Sequence, residues 1–350
     1  MSQSNKLILI NNEKVSKKEN KFYCQNIDMK SIPEGLSKNF EVFTIVRKSK
    51  KNQPHQMCVN RVNIASNIFN FLFHIFKTFK YKEANYLLIS VTPYTFFAYL
   101  LLFIFRKKIY VYFRSDGYEE YKAIFGFFGP LIYHFMYISV TFKSNIITCQ
   151  QRLINNKKST LVFPSQLDSK WLKTTKKSSL DKPRLLYVGR MKVEKGVFSL
   201  LQIINEISTN FELSIVSKVD KNFANRFINN EKLSQRKKIN FLGYGFETSE
   251  LIDIYDNHNI FILPSFTEAH PQVVDESLAR ARPVIIFEEI RHIIQNRFGV
   301  FVSKRNAQSL SSTIEFVINN YLKIQEDMKK NKLPTKQAFI SQITNILKKN

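Results

Sequence analysis

In the stretch "FTEAHPQVVDESLARARPVI", residues 266–285, Glu268 and Glu276 stand eight positions apart across a turn that contains no glycine. A carboxylate accepts hydrogen bonds, and two carboxylates at that interval can reach opposite ends of a single ligand. Upstream, "LLYVGRMKVEKG" places Arg190 and Lys195 in a loop that leads from a strand into a helix. Two cations there, with helix-start amides close by, suit a phosphate or diphosphate. Taken singly, each of these four residues reads as solvated surface charge; it is the combination that suggests a site.

The elements around them set the geometry. The strand "IFILPS" ends near Ser265 and leaves Glu268 in the following turn. Pro271 suits the first position of the next helix, where its missing N–H costs nothing. The amides of Gln272 and Val273 then point free toward a ligand, and Glu276 falls in the second turn. One carboxylate is on the loop and the other behind it. His270, beside Glu268, is either a plain loop residue or a ligand contact. Asp116, on the turn after the strand "KIYVYF", either caps the next helix or takes part in catalysis.

Strands alternate with helices on both sides of these motifs. The first half runs "KLILI", "FEVFTIV", the helical "VNIASNIFNFLFHIFKTF", "NYLLISV", a helix after Pro93, "KIYVYF", another helix, "NIITC" and "TLVFP". After "KWLKTTKKSSLDKP" the second half runs "RLLYVG", helix, "FELSIVS", a polar helical stretch, "INFLG", helix, "IFILPS", helix and "RPVIIF". The pattern predicts two doubly wound α/β domains. We expect one over 1–169, a linker over 170–183 and a second domain over 184–335. An amphipathic helix over 336–350 can pack back on the first.

The chain has 350 residues and a formal charge of +25. The excess is uneven: up to residue 180 there are 28 Lys and Arg against 10 Asp and Glu, and from 181 onward 25 against 18. A solubilising surface, an anionic membrane or nucleic acid would each account for it. Residues 84–105 carry no charge, but Pro93 divides them into a strand and an apolar helix. The segment 123–142, broken by Gly126, Gly129 and Pro130, can dip into a bilayer surface or be a buried helix. Cys24, Cys58 and Cys149 are widely spaced and odd in number, which suits a reducing cytosol. The opening apolar run is too short for a secretory leader. Together these predict a cytoplasmic protein, peripheral on the inner face of the cell membrane.

"LLYVGRMKVEKG", "INFLGYGFETSELIDIYDNHNIFILPS" and "TEAHPQVVDESLARARPVI", in that order and spacing, resemble the donor-nucleotide half of family 4 retaining glycosyltransferases. The resemblance covers residues 184–300 by motif and the first half by topology. It implies the GT-B fold, two Rossmann-like doubly wound domains facing each other across a cleft. It implies a nucleotide sugar, UDP- or GDP-linked, held by the second domain. The first domain would hold a saccharide or lipid-linked saccharide acceptor of envelope polysaccharide or lipopolysaccharide synthesis. Arg190 and Lys195 would bind the donor diphosphate, Glu276 the ribose, Glu268 the transferred sugar, and Gly243 with Tyr244 the base. No metal and no cofactor would be needed.

The departures from the family pattern are specific. Ala269 and Ala281 stand where the family has glycine, and Ser217 replaces another glycine. No glycine-rich loop follows "KLILI", and Ser115-Asp116 occupies the place of a His-Asp pair, leaving Arg114 or Asp116 to do related work. "VFPSQLD" replaces the usual Asn-Gly before Asp168. A non-catalytic sugar-nucleotide-binding or scaffold protein of the same fold would explain those losses. A basic nucleic-acid-binding protein would explain the charge, although no recognition motif is present.

Overall fold

A computed structural model describes residues 6–349 apart from 60, 156, 174, 177–179, 208–209 and 220–236. The chain forms two compact units, one of residues 1–166 with 336–350 and the other of 167–335. The polar stretch expected to be helical before "INFLG" lies largely outside the described residues.

The first unit contains β1 (Lys6–Lys18), β2 (Lys21–Cys24), α1 (Asp28–Leu36), β3 (Glu41–Lys48), β4 (His55–Met57), β5 (Val62–Ala65), α2 (Ile68–Phe76), β6 (Asn85–Ile89), α3 (Pro93–Ile104), β7 (Lys108–Phe113), α4 (Gly117–Phe125), α5 (Gly129–Phe142), β8 (Asn145–Thr148) and β9 (Thr160–Leu161). Its parallel strands lie in the order β5-β3-β1-β6-β7-β8-β9, and the far end of β1 pairs antiparallel with β2, which pairs with β4. The central strands are near-continuous apolar runs because both faces of a parallel sheet are covered. Leu7 to Ile10, for example, are fully buried.

Local chemistry fixes the boundaries. The Thr92 hydroxyl accepts from the Thr95 amide and Pro93 takes the first helical position, so α3 starts where expected. The helix expected over 62–79 starts later. Val62 to Ala65 extend as β5 beside β3, because alternating β-branched residues suit a strand. Asn67 then caps α2 through its side chain, which accepts from the Asn70 amide at 2.9 Å.

The second unit contains β10 (Arg184–Val188), α6 (Val197–Glu206), β11 (Phe211–Val216), β12 (Lys237–Gly243), α7 (Thr248–Asp256), β13 (Ile260–Leu263), α8 (Gln272–Ala279), β14 (Val284–Phe287), β15 (Val300–Ser303), α9 (Ala307–Asn319) and α10 (Tyr321–Met328). Its six strands are parallel in the order β12-β11-β10-β13-β14-β15. Renumbered from β10, that is 3-2-1-4-5-6, the doubly wound nucleotide-binding order.

The lysine-rich stretch 170–183 lies within the second unit, where the Trp171 side chain is buried. Two buried arginines hold it there. Arg280 donates to the carbonyls of Trp171 and Lys173 at 2.9 and 3.0 Å and pairs bidentately with Asp256, while Arg282 donates to the Lys176 carbonyl at 2.6 Å. The last helix, α11 (Lys336–Lys348), belongs to the first unit. It buries Phe339, Ile343 and Leu347, and the Leu347 carbonyl accepts from Asn85 at 2.9 Å.

Candidate functional site

The sheet of the second unit reverses its winding between β10 and β13, which are direct neighbours. In open parallel sheets a ligand crevice opens outside the carboxyl ends of the strands at such a reversal. The loops leaving β10 and β13 at that edge are residues 189–196 and 264–271, and they carry Arg190, Lys195, Glu268 and His270.

These loops are built into one another. The Phe266 amide donates to the Glu194 carbonyl at 3.0 Å. Gly196 has φ +65°, and a Cβ there would stand 1.8 Å from the Pro264 carbonyl oxygen. Only glycine lets the basic loop lie this close to its neighbour. Arg305 ties the second loop down from the other side, donating to the Pro264 carbonyl at 2.9 Å while its Nε bonds Glu289 at 2.6 Å.

Lys195 Nζ lies 2.6 Å from Glu268 Oε1, and the Ser265 hydroxyl donates to the same oxygen at 2.7 Å. His292 Nε2 is 2.8 Å from the Glu268 backbone carbonyl oxygen. The lysine and glutamate side chains keep 21% and 11% of their surface, so an arriving anion can reach and compete for the lysine. Arg190 is exposed, and its guanidinium makes no hydrogen bond or ion pair among the described residues. Its backbone carbonyl accepts from the Tyr187 hydroxyl at 2.9 Å. Burial, with the Glu268 charge adding to it, pushes the Tyr187 phenol up, so the hydroxyl stays protonated and pins the loop at neutral pH.

Glu276 stands in the second turn of α8, and its Oε2 accepts from the Tyr255 hydroxyl at 3.0 Å. Tyr255 is fully buried and meets Trp171 edge to face, with ring centres 5.6 Å apart. Burial, and then the Glu276 charge, raise its phenol well above the usual value, so Tyr255 remains a donor that holds the carboxylate. The sequence reading did not include Tyr255. The one available hint was an aromatic with a polar tip on the apolar side of α7, which needs a partner when buried.

Two expectations about α8 change. Pro271 is the capping residue with φ −76° and ψ 106°, and the helix begins at Gln272. The Val274 amide closes the first turn onto the Pro271 carbonyl at 3.1 Å, with Gln272 and Val273 at the helix start. The His270 side chain is only 3% exposed, and its Nε2 lies 3.1 Å from Asp275 Oδ2, whose other oxygen is 3.0 Å from Arg297. It fastens the loop to α8 from the inside.

At the same sheet edge, Gly243 ends β12 opposite Val216 of β11, and Tyr244 follows with its ring half exposed. Lys218 Nζ sits 5.2 Å from that ring centre. An exposed aromatic ring of this kind can stack a base. Ser217, on the turn after β11, is buried, and its hydroxyl has no partner among the described residues.

Asp116 belongs to the first unit, where it follows β7 and caps α4. Its Oδ1 accepts from the Glu119 amide at 3.3 Å and Arg152 is 3.4 Å from Oδ2. Arg114 is paired with Asp28 at 3.4 Å. Among the described residues, no group of three or more His, Cys, Asp or Glu is placed to hold a metal ion.

Ala281 is explained by helix termination rather than by contact with a ligand. It lies past the end of α8 on the way into the amino end of β14, away from the carboxyl edge, and it adopts φ +52°. A glycine there would serve helix termination. We expect Ala281→Gly to stabilise the protein by about 1 kcal/mol, read as a higher urea midpoint at unchanged slope. A lowered midpoint would contradict this account of the left-handed alanine.

Residues 170–333 match the family model of glycosyl transferases group 1. The chain is 24% identical over 201 residues to an uncharacterized glycosyltransferase of Haemophilus influenzae, covering 53% of this chain and 54% of that protein. It is 26% identical over 140 residues to the capsular polysaccharide biosynthesis glycosyltransferase CapM of Staphylococcus aureus, covering 38% and 36%. The matched regions thus span about half or less of these relatives' own lengths. Among solved structures, Anabaena HepE in complex with UDP superposes with a TM-score of 0.71 at 11% identity, covering 98% of this chain and 99% of that one. The two parallel-sheet units have the GT-B fold.

Proposed function

We propose that this chain is a retaining glycosyltransferase that moves a sugar from a UDP- or GDP-linked donor to a lipid-linked saccharide or another envelope polysaccharide acceptor at the cytoplasmic membrane face. The observation that carries the proposal is the Lys195 and Glu268 pair, 2.6 Å apart at the winding reversal of a 3-2-1-4-5-6 sheet. The match of residues 170–333 to group 1 glycosyl transferases supports it. So do the capsular polysaccharide relative and the UDP bound by HepE.

In this account the donor diphosphate lies against Arg190 and Lys195 and the helix starts behind them. As the bond to the sugar breaks, negative charge grows on the leaving diphosphate, and the two cations stabilise it. Glu268, released from Lys195, faces the sugar. Glu276, held by Tyr255, accepts from the ribose hydroxyls, and Tyr244 stacks on the base.

A thermal-shift screen of UDP- and GDP-sugars, followed by a transfer assay, tests the proposal. A donor at 100 times its dissociation constant stabilises the fold by about 2.7 kcal/mol. Stabilisation without turnover on any acceptor would favour the non-catalytic alternative. Because the two cations take the place of a metal at the diphosphate, activity should survive EDTA. Complete inhibition restored by Mg²⁺ or Mn²⁺ would contradict that part of the account.

A further inference from the structure

In the first unit, three helices present apolar side chains to solvent. On α5 the exposed residues Leu131, Phe135, Ile138 and Phe142 fall on one helical stripe, while Tyr133, Met136, Tyr137 and Val140 pack inward. On α2 the stripe is Phe69, Phe73 and Phe76, and the end of α3 exposes Phe103, Ile104 and the following Phe105. Ring contacts join them: Phe142 meets Phe103 at 6.4 Å and Phe105 meets Phe76 at 5.8 Å between centres. One apolar face thus runs across α5, α3 and α2. A contiguous exposed apolar face rimmed by polar residues marks a protein or membrane interaction site.

The segment 117–142 is long enough for a membrane span, and its most apolar stretch of 18 residues has a mean hydropathy of 1.5. It does not run straight. Tyr118 and Tyr137 have ring centres 5.8 Å apart, so α4 and α5 fold back on each other. A Cβ on Gly129 would stand 2.0 Å from the Tyr121 carbonyl oxygen, so the close turn depends on that glycine. The tip of the hairpin is Phe127 and Phe128, 91% and 67% exposed. With 14 residues, α5 is about 21 Å long, short of a hydrocarbon core of about 30 Å.

Cations border this face. From Ile68 to Lys143 there are nine Lys and Arg against four Asp and Glu. Lys77 Nζ lies 4.4 Å from the Phe73 ring centre and Lys107 Nζ 4.8 Å from that of Phe79, while Arg106 and Lys143 follow α3 and α5. Three of the acids, Asp116, Glu119 and Glu120, sit at the start of α4, at the opposite end of that helix from the tip. A second copy of a +25 chain would bring cations against cations, and nucleic acid offers nothing to the Leu and Ile stripes. An anionic bilayer matches both the apolar face and its rim.

We propose that the α4–α5 hairpin tip and the exposed faces of α5, α3 and α2 form a docking surface that enters the headgroup and upper acyl region of an anionic lipid bilayer without crossing it. The inference is independent of the donor site, which lies in the second unit.

Vesicle sedimentation of the full chain tests it, comparing phosphatidylcholine vesicles with and without phosphatidylglycerol across a salt series. Binding should require the anionic lipid and weaken as salt rises. Phe127→Ser with Phe128→Ser should lower partitioning at least tenfold, since two exposed rings lose their acyl contacts, while thermal midpoint and nucleotide binding stay unchanged. Phe127→Trp should shift to shorter emission wavelength on binding and be quenched by lipids brominated near the headgroup more than by lipids brominated at the chain end. Wild-type partitioning in the serine variant would overturn the proposal, as would equal binding to neutral vesicles. A dimer that the same substitutions dissociate, with no vesicle binding, would assign the face to a second copy instead.

Discussion

In Lys195→Ala and in Arg190→Ala, turnover falls on the order of 10²-fold while the thermal midpoint stays near that of the wild type. The expected size is that of removing one preorganised group from developing charge. The two losses have different structural origins. Arg190 is exposed and its guanidinium is bound to nothing described, so its removal takes away a cation and leaves the loop fixed by Gly196 and by Tyr187 on the Arg190 carbonyl. Lys195 is held by Glu268 at 2.6 Å, so its removal also frees that carboxylate, which keeps the Ser265 hydroxyl at 2.7 Å. Lys195→Ala therefore loses leaving-group stabilisation and placement of Glu268 together. Wild-type single-turnover rates in both variants would remove these cations from the diphosphate.

Glu268→Gln and Glu276→Gln should fail in different ways. Both substitutions keep a hydrogen-bonding group and remove a charge. Glu276 stands on α8 with Tyr255 donating to it, so its glutamine variant chiefly loses affinity for the nucleoside diphosphate alone. Glu268→Gln keeps that affinity close to wild type and lowers turnover on the order of 10²-fold, because its partner is the sugar and its charge favours an oxocarbenium-like transition state. Calorimetry with the diphosphate and single-turnover rates with the sugar nucleotide separate the two. Equal loss of diphosphate affinity in both variants would mean that the carboxylates do not divide the ligand between them.

The alternation of the second unit was legible because its strands are short apolar runs closed by loops, from "RLLYVG" to "RPVIIF". That places Arg190, Lys195 and Glu268 in loops at a carboxyl edge and Glu276 on the helix behind them. What brings them together was not legible. The 2.6 Å pair depends on β10 lying beside β13, and sequence distance says nothing about that neighbour relation. Tyr255 under Glu276, and Arg297 beside Asp275, are likewise contacts between positions far apart in sequence. In "ARARPVI" both arginines are buried and hold the carbonyls of Trp171, Lys173 and Lys176, a role that local pattern does not distinguish from surface charge. In the first unit, apolar spacing over 62–79 concealed β5, since Val and Ile at short intervals fit a helix face as well as a strand. The Pro33 and Gly35 of α1 concealed a helix altogether.

The most direct test of the donor site is calorimetric titration of the wild type and of the Arg190→Ala/Lys195→Ala double variant with UDP and GDP in the presence of EDTA. One equivalent of one of these nucleotides should bind the wild type, and affinity should fall on the order of 10²-fold or more in the double variant, with its fold retained. Binding of equal strength in both proteins, or of neither nucleotide to the wild type, would contradict the placement of a nucleoside diphosphate between the basic loop and the two glutamates.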